Sequence, residues 1–292
     1  MEAFQNLVGV DLTTNEKRYL HANEPIILQL ASEYKLPKIH ADEALTRLRS
    51  RVKSTTIKCI GVTDIKIKKV IRASQGKCSI YSATVRMTAA VGKFFTKDSI
   101  WDFQRELENF LKIPAHPSVV KLIFYADLPD DRAHCGVIFF PFYNQCLSDL
   151  ICDVPIVVNR LENLWSLAKG IIIGLNHLHS SGYIHCDIKP GNIVLDDNGN
   201  VILIDLGSAV PNGTIVIEHT SSYSMGLHND LANPRLDWVC TAVTLHVCIQ
   251  GYCLVRSIDD LCMFGKNLDN TVGDLIMRLC GEFALTIILD ET

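Results

Sequence analysis

Residues 182–209, GYIHCDIKPGNIVLDDNGNVILIDLGSA, contain a strong signal for a β-hairpin. Two apolar runs, NIVL and VILID, flank the polar residues DDNGN, and Asn-Gly between apolar strands is the strongest short-range signal for a β-hairpin. In an antiparallel hairpin, the first residue of one strand lies beside the last residue of the other. The sequence therefore predicts that Asn192 and Asp205 meet at the open end of the hairpin.

Four polar residues around that open end predict a site for a metal ion and a phosphate group. The Asn192 amide oxygen beside the Asp205 carboxylate makes an all-oxygen pair suited to Mg²⁺, with waters and substrate phosphates as the other ligands. Asp187 lies in the loop entering the same strand, where a carboxylate can orient a hydroxyl group and accept its proton. Lys189 adds a fixed positive charge beside it. A base, a cation and two metal ligands are the groups that phosphoryl transfer requires.

Each of these elements also has a purely structural interpretation. His185 and Asp187 can cap a turn, Asp205-Leu206-Gly207 can end a strand, and Asn192 can start one. The complete ordered series, with the hairpin in its middle, favours the catalytic interpretation.

The rest of the chain divides into a β-rich half and a helix-rich half. Strands are predicted between residues 66 and 95 and in SVVKLIFYA and CGVIFFPFY, because these runs are rich in β-branched and aromatic residues. From about residue 144 the pattern is helical, in LENLWSLAKGIIIGLNHLHSSG, LDWVCTAVTLHVCIQG and VGDLIMRLCGEF. Two lobes with a ligand-binding cleft between them are expected. One helix is also predicted within the β-rich half, and its apolar face is Ile100, Phe103, Leu107, Phe110 and Leu111.

Three segments are expected: an N-terminal extension at 1–65, an N-lobe at 66–143 and a C-lobe at 144–292. The extension contains a predicted helix, ADEALTRLRSRVKS, in a basic neighbourhood. This basic stretch is either a nuclear-import or docking patch or the solvated face of a helix.

Composition limits the class and the location of the protein. A net charge of −4 gives no general attraction to nucleic acid or to anionic membranes. The eleven cysteines are odd in number and include no Cys-x-x-Cys pair, and the first residues lack the apolar core of a signal peptide. No apolar run approaches the roughly 18 residues of a membrane span. These observations predict a cytoplasmic or nuclear protein with reduced thiols, not secreted, with no transmembrane segment and no direct nucleic-acid or membrane partner.

The motifs HCDIKPGN and DLG resemble the catalytic and magnesium loops of eukaryotic-type protein kinases, and the resemblance extends over about residues 66–280. It implies an α+β, bilobal fold with a small β-rich N-lobe that includes one helix, and a helical, abbreviated C-lobe. It implies an enzyme that uses ATP and Mg²⁺ and phosphorylates serine or threonine in protein substrates, because Lys189 two residues beyond Asp187 is the serine/threonine pattern. Asp187 and Lys189 are then catalytic, and Asn192 and Asp205 bind the metal.

The same resemblance implies an ATP site in the N-lobe. Lys93 in AVGKFF resembles the third-strand lysine that contacts phosphates, and Glu106 resembles its helix partner, with Glu108 as a less favoured register. Phe140 resembles the gatekeeper of the hinge, and Phe142 and Tyr143 resemble the hinge residues that offer backbone groups to adenine. Asp237 in RLDWVCTAV resembles the aspartate that braces the catalytic loop. The implied ATP-binding residues are Ile71, Ala73, Gly76, Ile80, Lys93, Glu106, Phe140, Phe142 and Tyr143.

The chain departs from the family in its glycine loop and its magnesium loop. Gly76 is the one clear glycine where the family has three, and the other two sites are near Ala73, Gln75 and Cys78. Side chains there limit how closely backbone N–H groups approach phosphate, so weaker ATP binding is expected. Leu206 replaces the family's phenylalanine, a hydrophobic exchange that should be tolerated.

Two further departures concern regulation and substrate docking. Cys186 replaces the arginine that reads activation-segment phosphorylation in many kinases, so no dependence on that switch is expected. No Ala-Pro-Glu follows the activation segment, where SSYSMGLHNDLANP stands instead, and 55 residues follow Asp237. An abbreviated peptide-docking surface is therefore expected.

Within the superfamily, ASQGKCSIYSATV, the proline after the gatekeeper and the degenerate C-terminal half are similar to herpesvirus-encoded protein kinases. That similarity implies a viral protein with a viral or host regulatory partner. Two alternative functions stay open: a pseudokinase that binds partners without transferring phosphate, and a small-molecule phosphotransferase of the nucleoside-kinase type. Lys189-Pro190 favours the protein kinase over the latter.

Overall fold

The computed structural model describes residues 65–73, 76–85, 87–128, 131–153, 161–227, 231–253, 255–268 and 271–281. The predicted N-terminal extension, with its basic helix, lies outside the described residues except for Ile65. Among the helices that are described, none combines the length and the apolar character needed to cross a membrane.

The first lobe is built on one antiparallel sheet of five strands in the order β1-β2-β3-β5-β4. Each strand coincides with one of the runs rich in β-branched and aromatic residues, so the predicted β-rich half is confirmed. The strands are β1 Ile65–Ala73, β2 Cys78–Val85, β3 Thr88–Thr96, β4 Phe124–Asp127 and β5 His134–Pro141.

One helix, α1 (Ile100–Lys112), packs against this sheet as predicted. Phe103 and Leu107 are buried, but Leu111 is 61% exposed, so its place on the apolar face was wrong. The buried side of α1 instead includes Glu106 and Asn109. A helix face that buries two polar residues indicates that they have specific partners.

The second lobe is helical, and its central helix is buried on every side. From Leu236 to Cys248 every residue of that helix, α5, is buried, as its apolar composition predicted. Three helices of this lobe, Leu147–Asp153, Ser221–Ser224 and Ile258–Asn267, were not predicted. The helices of this lobe are α2 Leu147–Asp153, α3 Leu161–Ser180, α4 Ser221–Ser224, α5 Pro234–Gln250, α6 Ile258–Asn267 and α7 Thr271–Cys280.

The predicted hairpin is present, and Ile193, Val201 and Leu203 of its strands are buried in the core of the second lobe. Strands β8 (Ile193–Leu195) and β9 (Val201–Leu203) pair with Ile193 opposite Leu203, and β6 (Gln145–Cys146) pairs with the outer side of β8. In the turn, Asp196 Oδ1 accepts from the backbone N–H groups of Asn198 and Asn200. The backbone N–H of Ile204 donates to the Asn192 carbonyl, so the pairing continues to the open end.

Helix α3 packs closely against β9 of the hairpin at a glycine. A Cβ atom on Gly174 would lie 2.8 Å from a methyl carbon of Leu203 in β9, so only glycine allows this close approach. Two further short strands, β7 (Tyr183–Ile184) and β10 (Val210–Pro211), pair with each other and bracket the loops on either side of the hairpin. The chain therefore has the predicted α+β, bilobal architecture, and its polar loops lie between the lobes.

Candidate functional site

The loop before β8 brings Asp187, Lys189 and Asn192 into one hydrogen-bonded group. Lys189 Nζ donates to Asp187 Oδ2 at 2.6 Å. Asn192 Nδ2 donates to the same carboxylate oxygen and to the Asp187 carbonyl, at 2.8 Å each. Asp187 and Asn192 are buried, while the Lys189 side chain is 30% exposed. A carboxylate held by a cation and an amide is fixed in orientation toward the cleft.

A fourth residue of this group was missed by the sequence reasoning. The Thr220 hydroxyl donates to Asp187 Oδ1 at 2.6 Å and accepts from Lys189 Nζ at 2.8 Å. No local pattern marks Thr220, because 33 residues separate it from Asp187. Its contacts show that Asp187 Oδ1 is placed to accept a hydrogen bond from a hydroxyl group.

The second group joins the lobes through Lys93 in β3. Lys93 Nζ contacts Glu106 Oε2 in α1 at 2.7 Å and Asp205 Oδ1, beyond β9, at 2.8 Å. Glu106 is 1% exposed and Lys93 is 14% exposed. The alternative carboxylate, Glu108, pairs instead with Lys112 on its own helix. Of the two registers considered for α1, the one with Glu106 brings a carboxylate to Lys93.

Burial and neighbouring charges shift the pKa values of Lys93, Glu106 and Asp205 in opposite directions. Burial raises the pKa of Glu106 to about 7, although Lys93 opposes the shift. Burial also opposes ionisation of Asp205, but the charge of Lys93 outweighs it and lowers the pKa of Asp205 to about 2. Burial disfavours the charged form of Lys93, and the two carboxylates still hold its pKa above the ordinary value. Near neutral pH, Asp205 is ionised and Lys93 is charged.

Asp205 and Asn192 offer an oxygen donor set for a divalent cation. The nitrogen of the Asn192 amide is used on Asp187, which leaves the oxygen side of that amide for a cation. The Asp205 side chain is 40% exposed. In the described part of the chain, no cluster of three or more His, Cys, Asp or Glu could hold a metal by itself. Two oxygen ligands with the remaining positions filled by water and phosphate fit Mg²⁺.

The loop that contains Asp187 is anchored to α5 by Asp237, which is fully buried. Its Oδ2 accepts from the backbone N–H of His185 and from His179 Nε2, and its Oδ1 accepts from the backbone N–H of Cys186, all at 2.8 Å. Cys186 has a φ of +66°, which is unusual for a residue other than glycine. The contacts from Asp237 are placed to hold that strained backbone.

Helix α1 also holds the DLG segment, through residues that sequence reasoning did not single out. Asn109 Nδ2 donates to the carbonyls of Leu206 and Ala209, at 2.7 and 2.8 Å. Arg105 Nε donates to the Gly207 carbonyl at 2.6 Å. A Cβ atom on Gly207 would lie 3.1 Å from both Asp205 Oδ1 and Glu106 Oε2, so a larger residue would crowd both carboxylates.

Of the other residues implied to contact ATP, Ile80 lies on the strand beside Lys93, and Gly76 lies in the turn between β1 and β2. Ile80 is directly opposite Lys93 in the β2–β3 pairing, and Gly76 forms the β1–β2 turn with a φ of +84°. Ile71 is 47% exposed on β1, and the side chain of Ala73 is outside the described residues.

The residues implied to form the hinge lie at the end of β5. Phe140 packs against Phe110 of α1, with ring centroids 5.1 Å apart. Phe142 is 39% exposed, and Tyr143 is partly buried. The Phe142 N–H, expected to face adenine, donates to the Ala89 carbonyl at 3.3 Å.

The sequence of this chain is similar to those of known protein kinases. A family model described as the protein kinase domain matches residues 75–223. Human serine/threonine-protein kinase 16 is 26% identical over 160 residues, which is 51% of this chain and 49% of that protein. The probable serine/threonine-protein kinase MRK1 homolog of Encephalitozoon cuniculi is 28% identical over 161 residues, 52% of this chain and 48% of that protein.

A third relative matches more closely over a shorter stretch. Serine/threonine-protein kinase RUNKEL of Arabidopsis thaliana is 38% identical over 95 residues, 32% of this chain and 6% of that protein. The matches to these three relatives thus span half or less of the relatives' own length. The family model covers just over half of the 292 residues, and it includes Lys93, Glu106, Asp187, Asn192 and Asp205; the chain belongs to the protein kinase domain family.

Proposed function

We propose that this protein transfers the γ-phosphoryl group of ATP to serine or threonine hydroxyls of protein substrates, with Asp187 as the base. The observation that carries the proposal is that the chain forms two hydrogen-bonded groups of side chains, one around Lys93 and one around Asp187. Lys93 contacts both Glu106 and Asp205, and Asp187 is held by Lys189 and Asn192. Phosphoryl transfer depends chiefly on positioning and charge, and these contacts provide both.

The role proposed for Asp187 is to orient the attacking hydroxyl and to take its proton. A hydrogen bond at 2.6 Å from the Thr220 hydroxyl supports this role, since it puts a hydroxyl group on Asp187 Oδ1. Lys189 Nζ lies 2.6 Å from Asp187 Oδ2, so its charge is at hand for a phosphoryl group that approaches the base.

Lys93, Asn192 and Asp205 are proposed to bind the nucleotide and its metal. The family implies ATP, and the oxygen donors of Asn192 and Asp205 fit Mg²⁺, which when bound neutralises charge on the phosphates. Lys93 is held between two carboxylates, so its ammonium group is oriented before a phosphate arrives. The ionised state of Asp205 favours a cation beside it.

A pseudokinase is the second candidate, and the β1–β2 turn is the observation that favours it. Gly76 is the only glycine of that turn, and the following Lys77 Nζ donates to Glu218 at 2.6 Å. A turn without the usual glycines holds phosphate less closely. A small-molecule phosphotransferase is less well supported, because Lys189 and Thr220 complete the serine/threonine type of loop around Asp187.

The similarity of ASQGKCSIYSATV to herpesvirus-encoded kinases supports a narrower proposal. Under it, the chain is a viral kinase that acts in the cytoplasm or nucleus of a host cell and has a viral or host regulatory partner. Its protein substrates carry serine or threonine at the phosphorylated position.

Labelled ATP with Mg²⁺ and a generic basic protein tests the proposed function. Wild type should incorporate label, and Asp187→Asn should abolish incorporation because the amide cannot accept the proton. Asp197→Asn is the matched control, since Asp197 is exposed in the turn of the same hairpin, and it should transfer like wild type. Nucleotide binding without any incorporation by wild type would point to the pseudokinase.

A further inference from the structure

Glu218, in the segment after the hairpin, lies between two cations from the other lobe. Its Oε1 is 2.6 Å from Lys77 Nζ, in the β1–β2 turn, and its Oε2 is 2.9 Å from Arg105 Nη2, on α1. In the chain, Lys77 is 141 residues away and Arg105 is 113 residues away. Glu218 belongs to the activation segment, the residues between Asp205 and Asp237. Its carboxylate thus connects this segment to two separate elements of the N-lobe.

Arg105 extends this connection to the magnesium loop. Its Nε donates to the Gly207 carbonyl at 2.6 Å, and its Nη2 also contacts Asp102 Oδ1 on the same helix at 2.8 Å. The Arg105 side chain is 16% exposed. The next residue on α1, Glu106, is the one that holds Lys93. Contacts that fix Arg105 therefore also fix the rotation of α1 that brings Glu106 to Lys93.

The Lys77 turn is itself tied to the sheet. The backbone N–H of Thr96 donates to the Lys77 carbonyl at 2.9 Å, and Thr96 Oγ1 donates to the Gly76 carbonyl at 3.0 Å. Because the turn has an anchored backbone, the Lys77–Glu218 pair links the activation segment to the turn that would cover the phosphates.

The charge state of Glu218 suits this arrangement. Burial opposes its ionisation, but the hydrogen bond and charge of Lys77 and the charge of Arg105 outweigh burial and hold its pKa below the ordinary value. Glu218 is therefore a carboxylate at neutral pH. It carries its charge without any modification of the chain.

At the usual position for reading a phosphate, the chain has no cation. Cys186 is 1% exposed, and burial together with the charge of Asp237 raises its pKa well above the ordinary value, so it is a neutral thiol. The guanidinium that contacts the activation segment comes from α1 instead, and its partner is already an anion.

We propose that Glu218 is a positioning residue that takes the place of an activating phosphate. By joining Arg105 and Lys77, it holds α1, the β1–β2 turn and the magnesium loop in the arrangement that phosphoryl transfer needs. The inference rests on the proposed function and adds its regulation: activity that does not depend on phosphorylation of the activation segment.

The two ion pairs should contribute unequally. Lys77 and Glu218 are 54% and 39% exposed, and ion pairs with that exposure contribute little. Arg105 is far less exposed and also bonds to the Gly207 carbonyl, so the Arg105–Glu218 pair should carry most of the effect.

A double-mutant cycle in the full chain tests the proposal. Glu218→Gln should lower kcat/KM for ATP by about fivefold to tenfold, tenfold being about 1.4 kcal/mol, without lowering Tm. Adding Arg105→Gln should cost little beyond the larger of the two single effects, because both changes remove the same Arg105–Glu218 pair. Glu218→Asp keeps the charge and should retain more activity than Glu218→Gln. The matched control is Lys112→Gln, which removes an ion pair of α1 that does not involve the activation segment.

Three outcomes would overturn the proposal: Glu218→Gln behaving like Lys112→Gln, strictly additive effects with Arg105→Gln, or a loss of activity that follows a loss of Tm. Phosphatase treatment of wild type is the second arm. Equal initial rates before and after treatment are expected, and a tenfold drop would show that a phosphate is needed after all. Failure of the proposed function is separate, since it would appear as a wild type no more active than Asp187→Asn.

Discussion

At the scale of single residues, the site depends on two backbone positions that only strong local contacts can hold. Asp205 and Cys186 have φ values of +65° and +66°, and such conformations cost about 1–3 kcal/mol in residues other than glycine. Asp205 is held by Lys93 and by the Gly207 N–H that donates to its side chain, and Cys186 is held by Asp237. The backbone at Asp205 places its carboxylate beside Lys93, and the backbone at Cys186 shapes the loop that leads to Asp187.

Asp205→Ala should abolish binding of Mg-ATP while the protein stays folded. The neutral amide of Asn192 is a weak magnesium ligand alone, and the variant leaves no ionised oxygen beside it. Thermal shift with Mg-ATP measures this, because a ligand at about 100 times its Kd stabilises by about 2.7 kcal/mol. Asp205→Asn separates the loss of charge from the loss of shape. If Mg-ATP stabilises Asp205→Ala as much as it stabilises wild type, Asp205 does not bind the metal.

Glu106 should make nucleotide use sensitive to pH near neutrality. Its pKa of about 7 means that it loses its charge as the pH falls through that value, and neutral Glu106 holds Lys93 less well. We therefore expect kcat/KM for ATP to fall on the acidic side of pH 7. Glu106→Gln should lower activity and remove this acid limb.

Fold stability should change with pH in the opposite direction. The folded-state pKa of Glu106 lies above the ordinary 4.5, so the folded state binds its proton more tightly than the unfolded state does. The stability from this group is full below about pH 4.5 and is lost as the pH rises to about 7. Denaturant unfolding of wild type and Glu106→Gln across this range measures it, and parallel pH curves for the two proteins would contradict the assignment.

At the scale of secondary-structure elements, α1 and β3 carry the connection between the lobes. Helix α1 contributes Arg105, Glu106 and Asn109, which bond to the activation segment, to Lys93 and to the DLG segment. Their spacing puts polar groups on the side of the helix that faces the site, which is why its buried face is rotated away from Leu111. The position of this one helix decides whether Glu106 reaches Lys93 and whether the DLG segment is held.

Lys93→Met should reduce phosphoryl transfer by about 10²–10³ with the fold retained. The substitution removes the cation between Glu106 and Asp205, but it keeps an unbranched side chain at the edge of the cleft. Lys97→Met is the matched control, since Lys97 is exposed just beyond β3 and its Nζ contacts the Leu128 carbonyl. Transfer assays at saturating ATP compare the two, and loss of transfer in Lys97→Met alone would show that the register of β3 is misassigned.

At the scale of the whole molecule, the buried helix α5 connects the core of the second lobe to the catalytic loop. Asp237 gives this helix three hydrogen bonds to residues outside it, to His179, His185 and Cys186. Helix α5 also packs against α3 and α7, so the loop is set by the same core that stabilises the lobe. Under the proposed function, this aspartate therefore links stability to catalysis.

Asp237→Asn should destabilise the protein and slow transfer together. Hydrogen bonds to a charged group contribute about 1.5–3 kcal/mol each, and an amide can accept with only one of its two polar atoms. We expect a loss of about 2–4 kcal/mol in the free energy of unfolding, measured with urea. Asp274→Asn on the exposed side of α7 is the control and should change it by less than about 0.5 kcal/mol. Unchanged stability in Asp237→Asn would show that the loop does not depend on this anchor.

Local pattern was enough to predict the hairpin and the residues next to it. Asn198-Gly199 sets the turn, and the apolar runs on both sides set the pairing that brings Asn192 to the open end beside Ile204. Asp187 and Lys189 are near enough in sequence to Asn192 that the same short loop brings all three together. The alternation of strands and the apolar helices also predicted the two lobes, since periodicity reports which face of an element is buried.

Which polar groups meet across long stretches of the sequence depends on the packing of whole elements. Thr220 reaches Asp187 across 33 residues, and Glu218 reaches Arg105 and Lys77 across more than 100. Asn109 meets the DLG segment because the buried face of α1 is rotated away from Leu111. Periodicity records whether a side chain is buried, but a hydrogen bond needs two atoms within about 3 Å. That distance depends on how whole elements pack, and no local pattern in the sequence contains it.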